Sequence, residues 1–327
     1  MPATVDTLEQ LAAAHGSGVR APSKRMLVIV NPYATTVSDR LKNLVIYALR
    51  GRYDLEAVDT EGRGHATEIC REAAHEGYDV VVAFGGDGTV NEVVNGLAGS
   101  PTPLSCLPGG ATNVYCRVLG IPPEIVDATE HMLQLADDWE PRKVDLGAVG
   151  DRHFAFSAGI GLDASVVARV DAHPRLKARL GEYYFTYAAM TTFARRYLIN
   201  APRMEVRAGD RRVEGITTVV QNATPYTFFG RRPIEIAEGS ALDSGTLSSV
   251  VLRRASPVDM PTVVWRAFAR RARIESHRQI TALESVPELH VTSIDGRPMP
   301  LQVDGDAIDE VTEAHFRSVP RALTVVS

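Results

Sequence analysis

The sequence contains few cysteines, no excess of positive charge and no long uncharged apolar run. Its three cysteines, Cys70, Cys106 and Cys116, show no CxxC spacing, which argues against a disulfide framework or a zinc site and fits a reducing cytoplasm. Lys and Arg total 35 against 40 Asp and Glu, so the net charge of −5 does not indicate a nucleic-acid partner. No apolar run approaches the ~18 residues of a membrane span, so we expect no membrane-spanning segment.

Signals for export and for repeat architectures are also lacking. The first 23 residues contain acidic side chains and no apolar core typical of a secretory signal, so we expect a tail, 1–23, that begins as a short helix. No internal repeat or low-complexity tract is evident. With 327 residues and 45% hydrophobic content, the chain is long enough for two domains with well-buried cores.

Strands and helices alternate in the first part of the chain, residues 24–140. The apolar pattern predicts strands at 26–30, 54–58, 79–84 and 104–107, and helices at 39–49, 66–75, 91–97 and 124–136. Repeated β-α units predict a parallel sheet, whose ligands bind at the carboxyl ends of the strands. The loops NPYAT, GGDGT and PGGATN all follow strands and are expected at that edge.

The pattern changes near residue 144. Short segments such as HFAFSAGIG, GITTVVQNA and TLSSVVLRR, separated by turns, predict a mainly antiparallel domain over residues 141–314. Two helical insertions are predicted in it, at about 176–198 and 257–273.

The stretch AFGGDGTVNEVVNGLA, residues 83–98, joins a strand to a helix. The preceding β-branched run is typical of a strand buried on both faces, and apolar residues at 90, 93, 94 and 97 form one helical face. Gly85, Gly86 and Gly88 therefore lie in a strand-to-helix turn, where backbone amides and the helix dipole favour phosphate. A tight connection that only needs glycine's conformational freedom is the simpler alternative.

Two polar side chains favour the phosphate interpretation. Asp87 can coordinate Mg²⁺ through water beside the phosphates of a nucleotide. Thr89, at the predicted helix start, can cap the helix or contact a phosphate. Neither the Walker pattern nor the dinucleotide fingerprint is present, so GGDGT predicts a different phosphate cradle.

GGDGTVNE, with the upstream NP and the downstream PGG-x-x-N, resembles the diacylglycerol kinase catalytic-domain family, which includes bacterial lipid kinases and sphingosine kinases. The resemblance runs from about residue 24 to about residue 306. It implies an α/β ATP-binding domain with a parallel sheet, similar to NAD kinases and phosphofructokinases, and a β-sandwich domain for the lipid, with the active site in the cleft between them. It also implies that the final strand, 315–327, returns to the first domain.

Carried over by position, the resemblance implies ATP contacts in the three loops and at one residue after the second strand. These positions are Asn31, Pro32, Thr35, Thr60, Gly85, Gly86, Asp87, Gly88, Thr89, Asn91, Gly110, Thr112 and Asn113. NPYAT lacks the glycine of the family's NPxSG, and PGGATNV has Ala111 and Val114 where the family has threonine and aspartate. These departures do not remove the amide cradle.

The resemblance also implies a catalytic base and a second metal site. Phosphoryl transfer needs a carboxylate to accept the hydroxyl proton, and the family's DGE aligns its glutamate with Asp306 in LQVDGDAID. Asp306 is one methylene shorter, so Asp304 and Asp306 both stay candidates; a β-turn with solvated acids is the alternative. At the family's second metal motif, Asp243 is present but Ser244 replaces an acid, so we expect that site to be weak or absent.

A lipid acceptor fits the aromatic and basic segment HPRLKARLGEYYFTYAAMTTFARRYL, although a helix packed on the sandwich is the alternative. The basic stretch WRAFARRARIESHR has the same two interpretations. Extracting two 16-carbon chains from a bilayer would cost roughly 25 kcal/mol, so a kinase of such lipids either works at the membrane surface on a partly raised headgroup or shelters the chains in an apolar cleft.

The sequence thus predicts a cytoplasmic, peripherally membrane-associated lipid kinase that uses ATP and Mg²⁺ to phosphorylate diacylglycerol or a related lipid. An NAD kinase-like enzyme, which would share GGDGT, is one alternative. A nucleotide- or lipid-binding regulator without catalysis is another. Exposed sheet edges are compatible with a homodimer.

Overall fold

The computed structural model describes residues 7–10, 24–34, 36–173, 184, 187–188, 191–197, 201–269 and 272–327. The chain forms two compact units. The first ends at Val144 and includes Arg321–Ser327, and the second is Asp145–Pro320.

The first unit is built on a parallel sheet with the strand order β2, β1, β3, β4. The strands are β1 Arg25–Val30, β2 Asp54–Asp59, β3 Val80–Gly85 and β4 Leu104–Pro108. All of β3 and β4 is buried, as expected for central parallel strands with apolar side chains on both faces. At the end of the chain, Val325 pairs in parallel with Leu104. The predicted parallel α/β architecture is confirmed.

Five helices connect these strands: Asp39–Arg50, His65–Glu76, Asp87–Leu97, Val114–Val118 and Ile125–Gln134. The Ser38 hydroxyl caps the first of them by accepting the Leu41 amide at 3.3 Å. In the N-terminal segment, residues 7–10 are helical and Leu8 is fully buried. The rest of the predicted tail lies outside the described residues.

The helix Asp87–Leu97 begins four residues before the predicted start at 91. Gly86 is its N-cap, and Asp87 places a carboxylate in the first turn, where the helix dipole favours negative charge. The low helix propensity of the glycines concealed this start in the sequence. Thr89 is therefore buried inside the first turn and is not the cap residue, contrary to the prediction.

The second unit is mainly antiparallel. One sheet has the order β14, β13, β10, β7, β16, β17, and in the other β15 pairs with β8 and β18, β8 pairs with β9, and β5 pairs with β18 and β6. The strand bounds are β5 Arg142–Val149, β6 Arg152–Phe154, β7 Ser157–Ile160, β8 Met204–Ala208, β9 Arg211–Gly215, β10 Thr217–Gln221, β11 Thr227–Phe229, β12 Arg232–Ile234, β13 Leu247–Leu252, β14 Ile280–Val286, β15 Glu288–Ser293, β16 Met299–Val303, β17 Asp306–Val311 and β18 Glu313–Val325. Strand β5 begins in the first unit, and β18 ends in it.

Side chains from both sheets of the second unit share one apolar core. Val220 and Leu301 contribute from one sheet, and Val206, Val291 and Phe316 from the other. The predicted β-sandwich is therefore confirmed.

The second unit also contains the helices Leu162–Asp171 and Met260–Phe268, a π-helical turn Phe193–Tyr197 and a 3₁₀ turn Ile274–Ser276. Much of the predicted insertion 176–198 lies outside the described residues. Of its described members, Tyr184 and Ala188 are buried against Val166 and Val170, which favours the packed alternative for these two. Within the described ranges, no helix is long and apolar enough to span a bilayer.

Candidate functional site

Two glycine turns pack directly against each other at the carboxyl edge of the parallel sheet. The Gly109 amide donates to the Gly85 carbonyl oxygen at 2.9 Å. A Cβ atom at Gly110 would lie 2.8 Å from the Gly86 Cα, and one at Gly109 would lie 2.9 Å from the Gly85 Cα. Both distances are shorter than real Cβ contacts, so the close packing of the turns requires glycine.

The loop after β1 is tied to both turns. Asn31 Nδ2 donates to the Thr89 hydroxyl at 3.0 Å, and Asn31 Oδ1 accepts the Tyr33 amide at 3.0 Å. The Thr36 amide donates to the Gly109 carbonyl oxygen at 3.1 Å. The three loops predicted to meet at this edge are therefore joined by hydrogen bonds.

Asn113 shapes the third loop. Its backbone has φ 49°, and its side-chain amide accepts the Gly110 N–H and donates to the Gly110 carbonyl, both at 2.8 Å. Asparagine tolerates this left-handed conformation better than most residues. The structure thus shows that Asn113 holds the shape of this loop.

The remaining predicted ATP residues of this edge lie as follows. Pro32, Gly88 and Thr112 are half-buried, and Thr60 and Asn91 are buried. The Thr60 amide donates to the Val30 carbonyl at 2.8 Å, which keeps Thr60 at the end of β2 beside β1. Thr35 lies outside the described residues.

Asp87 links the second loop to the third. Its carboxylate accepts the Tyr115 amide at 3.1 Å, near the start of the helix Val114–Val118. The side chain is half-buried in the first turn of its own helix. A hydrogen bond with Cys106 and burial, followed by the charge of Asp87, raise the pKa of the Cys116 thiol well above its usual value. All three cysteines are free and buried.

Glu92, the last residue of GGDGTVNE, has a structural role that the sequence did not reveal. Its carboxylate accepts the amides of Gly64 at 2.9 Å and Ala66 at 3.2 Å. Gly64 is the N-cap of the helix His65–Glu76 and offers no side-chain cap of its own. Glu92 therefore replaces that cap and joins two neighbouring helices. A carboxylate is stabilising in this position because the helix dipole favours negative charge near a helix N-terminus. The sequence signal for this role was the glycine at the N-cap, which has no side chain to cap the helix and so leaves its first amides to an acceptor from elsewhere.

In the second unit, the predicted DGD motif forms a two-residue hairpin turn between β16 and β17. Asp304 has φ 48° and Gly305 has φ 83°, and Val303 pairs with Asp306. Positive φ at both central residues is typical of a type I′ turn, for which Asp-Gly is a preferred sequence. The predicted turn is present.

The two aspartates of this turn differ in their surroundings. Asp304 is 2% exposed, and its carboxylate accepts the amides of Ala155 at 2.7 Å, Phe156 at 3.0 Å and Ser157 at 3.0 Å. Asp306 is half-buried at the start of β17. The solvated-acid alternative is therefore wrong for Asp304, because backbone amides far away in the sequence bind its carboxylate.

A chain of hydrogen-bonded polar groups, in which Gln302 is buried and Asp163 and Tyr226 are half-buried, supports the same turn. The Gly305 amide donates to Gln302 Oε1 at 2.9 Å, and Gln302 Nε2 donates to Asp163 Oδ2 at 2.7 Å. The Tyr226 hydroxyl donates to Asp163 Oδ1. Burial raises the pKa of the Asp163 carboxyl, although the hydrogen bonds from Tyr226 and Gln302 oppose that shift.

The candidate second metal residue, Asp243, is exposed. The neighbouring Ser244 hydroxyl lies within hydrogen-bond distance of two carbonyl oxygens, that of Ala241 at 3.0 Å and that of Thr246 at 3.1 Å. Asp145 is buried nearby and accepts the Gly245 amide at 2.6 Å. These contacts connect the loop to its own backbone and to Asp145.

One further group of potential metal ligands lies elsewhere in the second unit. Glu288, His290 and His315 have ligand atoms within 4.8 Å of one another. The two imidazole rings are stacked, with centroids 4.0 Å apart and planes 7° apart. Because nitrogen lone pairs lie in the ring plane, stacked parallel rings do not aim them at one ion.

Comparisons with known proteins agree with these features. Residues 25–149 match the family model for the diacylglycerol kinase catalytic domain. The chain is 27% identical over 313 residues to a diacylglycerol kinase of Staphylococcus aureus strain bovine RF122 / ET3-1, with 92% of each chain covered. It is also 27% identical over 311 residues to the diacylglycerol kinase of Staphylococcus aureus strain JH9, again with 92% of each covered.

A solved structure supports the fold. The crystal structure of a diacylglycerol kinase from Bacillus anthracis str. Sterne matches with a TM-score of 0.71 at 24% identity, covering 94% of this chain and 98% of that one. The resemblance predicted from GGDGTVNE is confirmed.

Proposed function

We propose that this chain uses ATP and Mg²⁺ to phosphorylate a hydroxyl group of diacylglycerol or a related lipid at the cytoplasmic surface of a membrane. The observation that carries the proposal is the mutual packing of two glycine turns at the carboxyl edge of the parallel sheet. Turns of this kind present backbone amides without side-chain obstruction, and such amides bind phosphate oxygens. The relatives that are named diacylglycerol kinases support a lipid acceptor.

On this proposal, the first unit holds the nucleotide. Gly85 and Gly86 contribute backbone amides, and Gly110, whose own amide is bound by Asn113, lets the turns pack closely around the phosphates. Asn31 and Thr89 hold the loops together and contact phosphate. The other residues assigned to ATP are Pro32, Thr35, Thr60, Gly88, Asn91, Thr112 and Asn113.

Asp87 would hold Mg²⁺ on this proposal, directly or through water. The Asp87 side chain offers carboxylate oxygens from the first turn of its helix, and these are ligands that Mg²⁺ prefers. Bound there, the ion would neutralise phosphate charge. Because Ser244 is occupied with backbone carbonyls, we expect no tight Mg²⁺ binding at Asp243.

The Asp304–Gly305–Asp306 turn would supply the carboxylate that accepts the hydroxyl proton. Its two aspartates can be separated experimentally. Asp306→Asn is expected to abolish turnover without changing thermal stability if Asp306 accepts the proton. Asp304→Asn replaces a carboxylate oxygen that accepts an amide by an NH₂ group, so it is expected to lower stability. An Asp304→Asn protein that keeps its melting temperature but loses turnover would instead identify Asp304 as the base.

The proposed activity is tested by supplying ATP with labelled γ-phosphate and Mg²⁺ to a panel of acceptors. Mixed micelles would carry diacylglycerol, monoacylglycerol, a sphingoid base, ceramide or phosphatidylinositol, with NAD as a soluble acceptor. We expect label in a lipid. Label in NAD alone would move the chain to an NAD kinase-like activity, and ATP binding without product on any acceptor would indicate a non-catalytic regulator. Light scattering of the purified chain would test for the homodimer.

A further inference from the structure

The helix Met260–Phe268 is apolar on two faces, and the fold covers one of them. Met260, Val263 and Ala267 pack against a core cluster of the second unit. On the outer side, Val264 is 51% exposed, Trp265 61% and Phe268 39%. Spacings of three and four residues place these side chains on one helical stripe. A helix that is apolar on both sides is normally covered on both.

Phe229 extends this stripe onto the β11–β12 hairpin. Its ring is 40% exposed and lies edge-on to the Phe268 ring, with the centroids 5.7 Å apart. We call Phe229, Val264, Trp265 and Phe268 the aromatic face. It contains four of the ten large apolar side chains that are exposed in the described part of the chain. Such clustering on a surface marks an interaction site, whereas scattered apolar residues do not.

Positive charge borders the aromatic face. Arg231 and Arg232 are exposed at the tip of the same hairpin, directly after Phe229 and Gly230. Aromatic rings flanked by arginines suit the boundary between anionic headgroups and acyl chains.

We propose that the aromatic face inserts into the interface of an anionic bilayer, with Arg231 and Arg232 contacting the headgroups. The inference rests on the proposed function in one respect, namely that a lipid kinase must reach an acceptor whose chains stay in the membrane. It identifies which surface makes that approach. Trp265 is the most exposed aromatic ring of the face and its expected anchor.

The sequence provides an intrinsic probe for this proposal. The chain has two tryptophans, so Trp139→Phe leaves Trp265 as the sole tryptophan. With vesicles of phosphatidylcholine and phosphatidylglycerol, we expect a blue shift of its emission and quenching by lipids brominated on the acyl chains. Vesicles of phosphatidylcholine alone should give a much smaller response. Unchanged emission with anionic vesicles would overturn the proposal, and so would a response without quenching.

A variant pair separates docking from catalysis. Trp265→Ser/Phe268→Ser is expected to weaken vesicle binding by about tenfold or more, since each ring buries apolar surface in the interface. Tyr47→Ser removes a ring that is 49% exposed in the first unit and is the matched control. The double variant also loses the contact between Phe268 and Phe229, so vesicle binding is compared at a temperature well below the measured melting temperatures of both variants.

Two substrates distinguish the possible outcomes. On long-chain diacylglycerol in vesicles, activity of the double variant should fall with binding. On a dispersed short-chain diacylglycerol, it should stay within about twofold of wild type, because no membrane is involved. Equal vesicle binding by wild type and double variant would overturn the docking proposal while leaving the kinase intact. Vesicle binding that depends on Trp265, without phosphorylation of either substrate, would refute the proposed function and leave the docking surface standing.

Discussion

Replacing Gly110 with alanine tests whether the two glycine turns must touch. The new Cβ would lie 2.8 Å from the Gly86 Cα and 3.1 Å from Asn113 Oδ1. Because optimal carbon–carbon separations are ~3.5–4.0 Å, the turns would have to separate by about 1 Å. Gly110 has no positive φ, so the substitution introduces crowding and no backbone strain.

The size of the effect follows from this displacement. Overpacking of a tight contact costs about 1–3 kcal/mol of unfolding free energy, which lowers the melting temperature by roughly 2–10 °C. A shift of ~1 Å in a group that positions substrate can cost on the order of 100-fold in rate. We therefore expect Gly110→Ala to lower the melting temperature modestly and to lower kcat/KM for ATP severely.

Calorimetry and steady-state kinetics on the same preparation measure both effects. Gly62→Ala is the matched control, since its Cβ would meet no heavy atom within 4 Å and its φ is not positive. If Gly110→Ala matches Gly62→Ala in melting temperature and in kcat/KM for ATP, the packed turns are not the phosphate cradle.

Three other predictions follow from the described contacts. Glu92→Ala removes the acceptor for the amides of Gly64 and Ala66, so the unfolding free energy should fall by about 1–2 kcal/mol in denaturant titration, with the exposed Glu72→Ala as control. Gln302→Leu removes the acceptor of the Gly305 amide and the donor to Asp163 Oδ2, while Asp163 keeps its hydrogen bond from Tyr226, so kcat should fall while the KM for ATP stays unchanged; an unaltered kcat would show that this hydrogen-bond chain does not position the DGD turn. Burial lowers the pKa of His131 in the folded protein. As the pH falls through about 6.5, the unfolded chain therefore takes up a proton at His131 while the folded protein does not, and the free energy of unfolding decreases. His131→Leu should therefore show a smaller loss of unfolding free energy between pH 7 and pH 5, and an identical loss would contradict the assignment.

Local patterns in the sequence predicted the parallel sheet because each strand is short, apolar and β-branched. They misplaced the start of the helix Asp87–Leu97, since glycines at 86 and 88 carry low helix propensity while the N-cap and the helix dipole act in the opposite direction.

Contacts between distant segments were beyond the reach of pattern analysis. Asp304 and Gly305 read as a turn from their residue types alone, but the amides of 155–157 that bind the Asp304 carboxylate lie almost 150 residues away. The capping role of Glu92 could not be predicted for the same reason, since the amides that it accepts belong to a different helix. The exposed side of the helix Met260–Phe268 also required the structure, because its apolar spacing equally fits a buried helix.

We propose that this chain transfers phosphate from ATP to a lipid with the help of Asp87. The most direct measurement is the incorporation of labelled γ-phosphate into diacylglycerol in mixed micelles, comparing wild type with Asp87→Ala, each with Mg²⁺ and with a chelator. We expect a labelled lipid that requires Mg²⁺ and disappears in an Asp87→Ala protein of unchanged melting temperature. A fully active Asp87→Ala protein, or wild-type protein that binds ATP and labels no lipid, would contradict it.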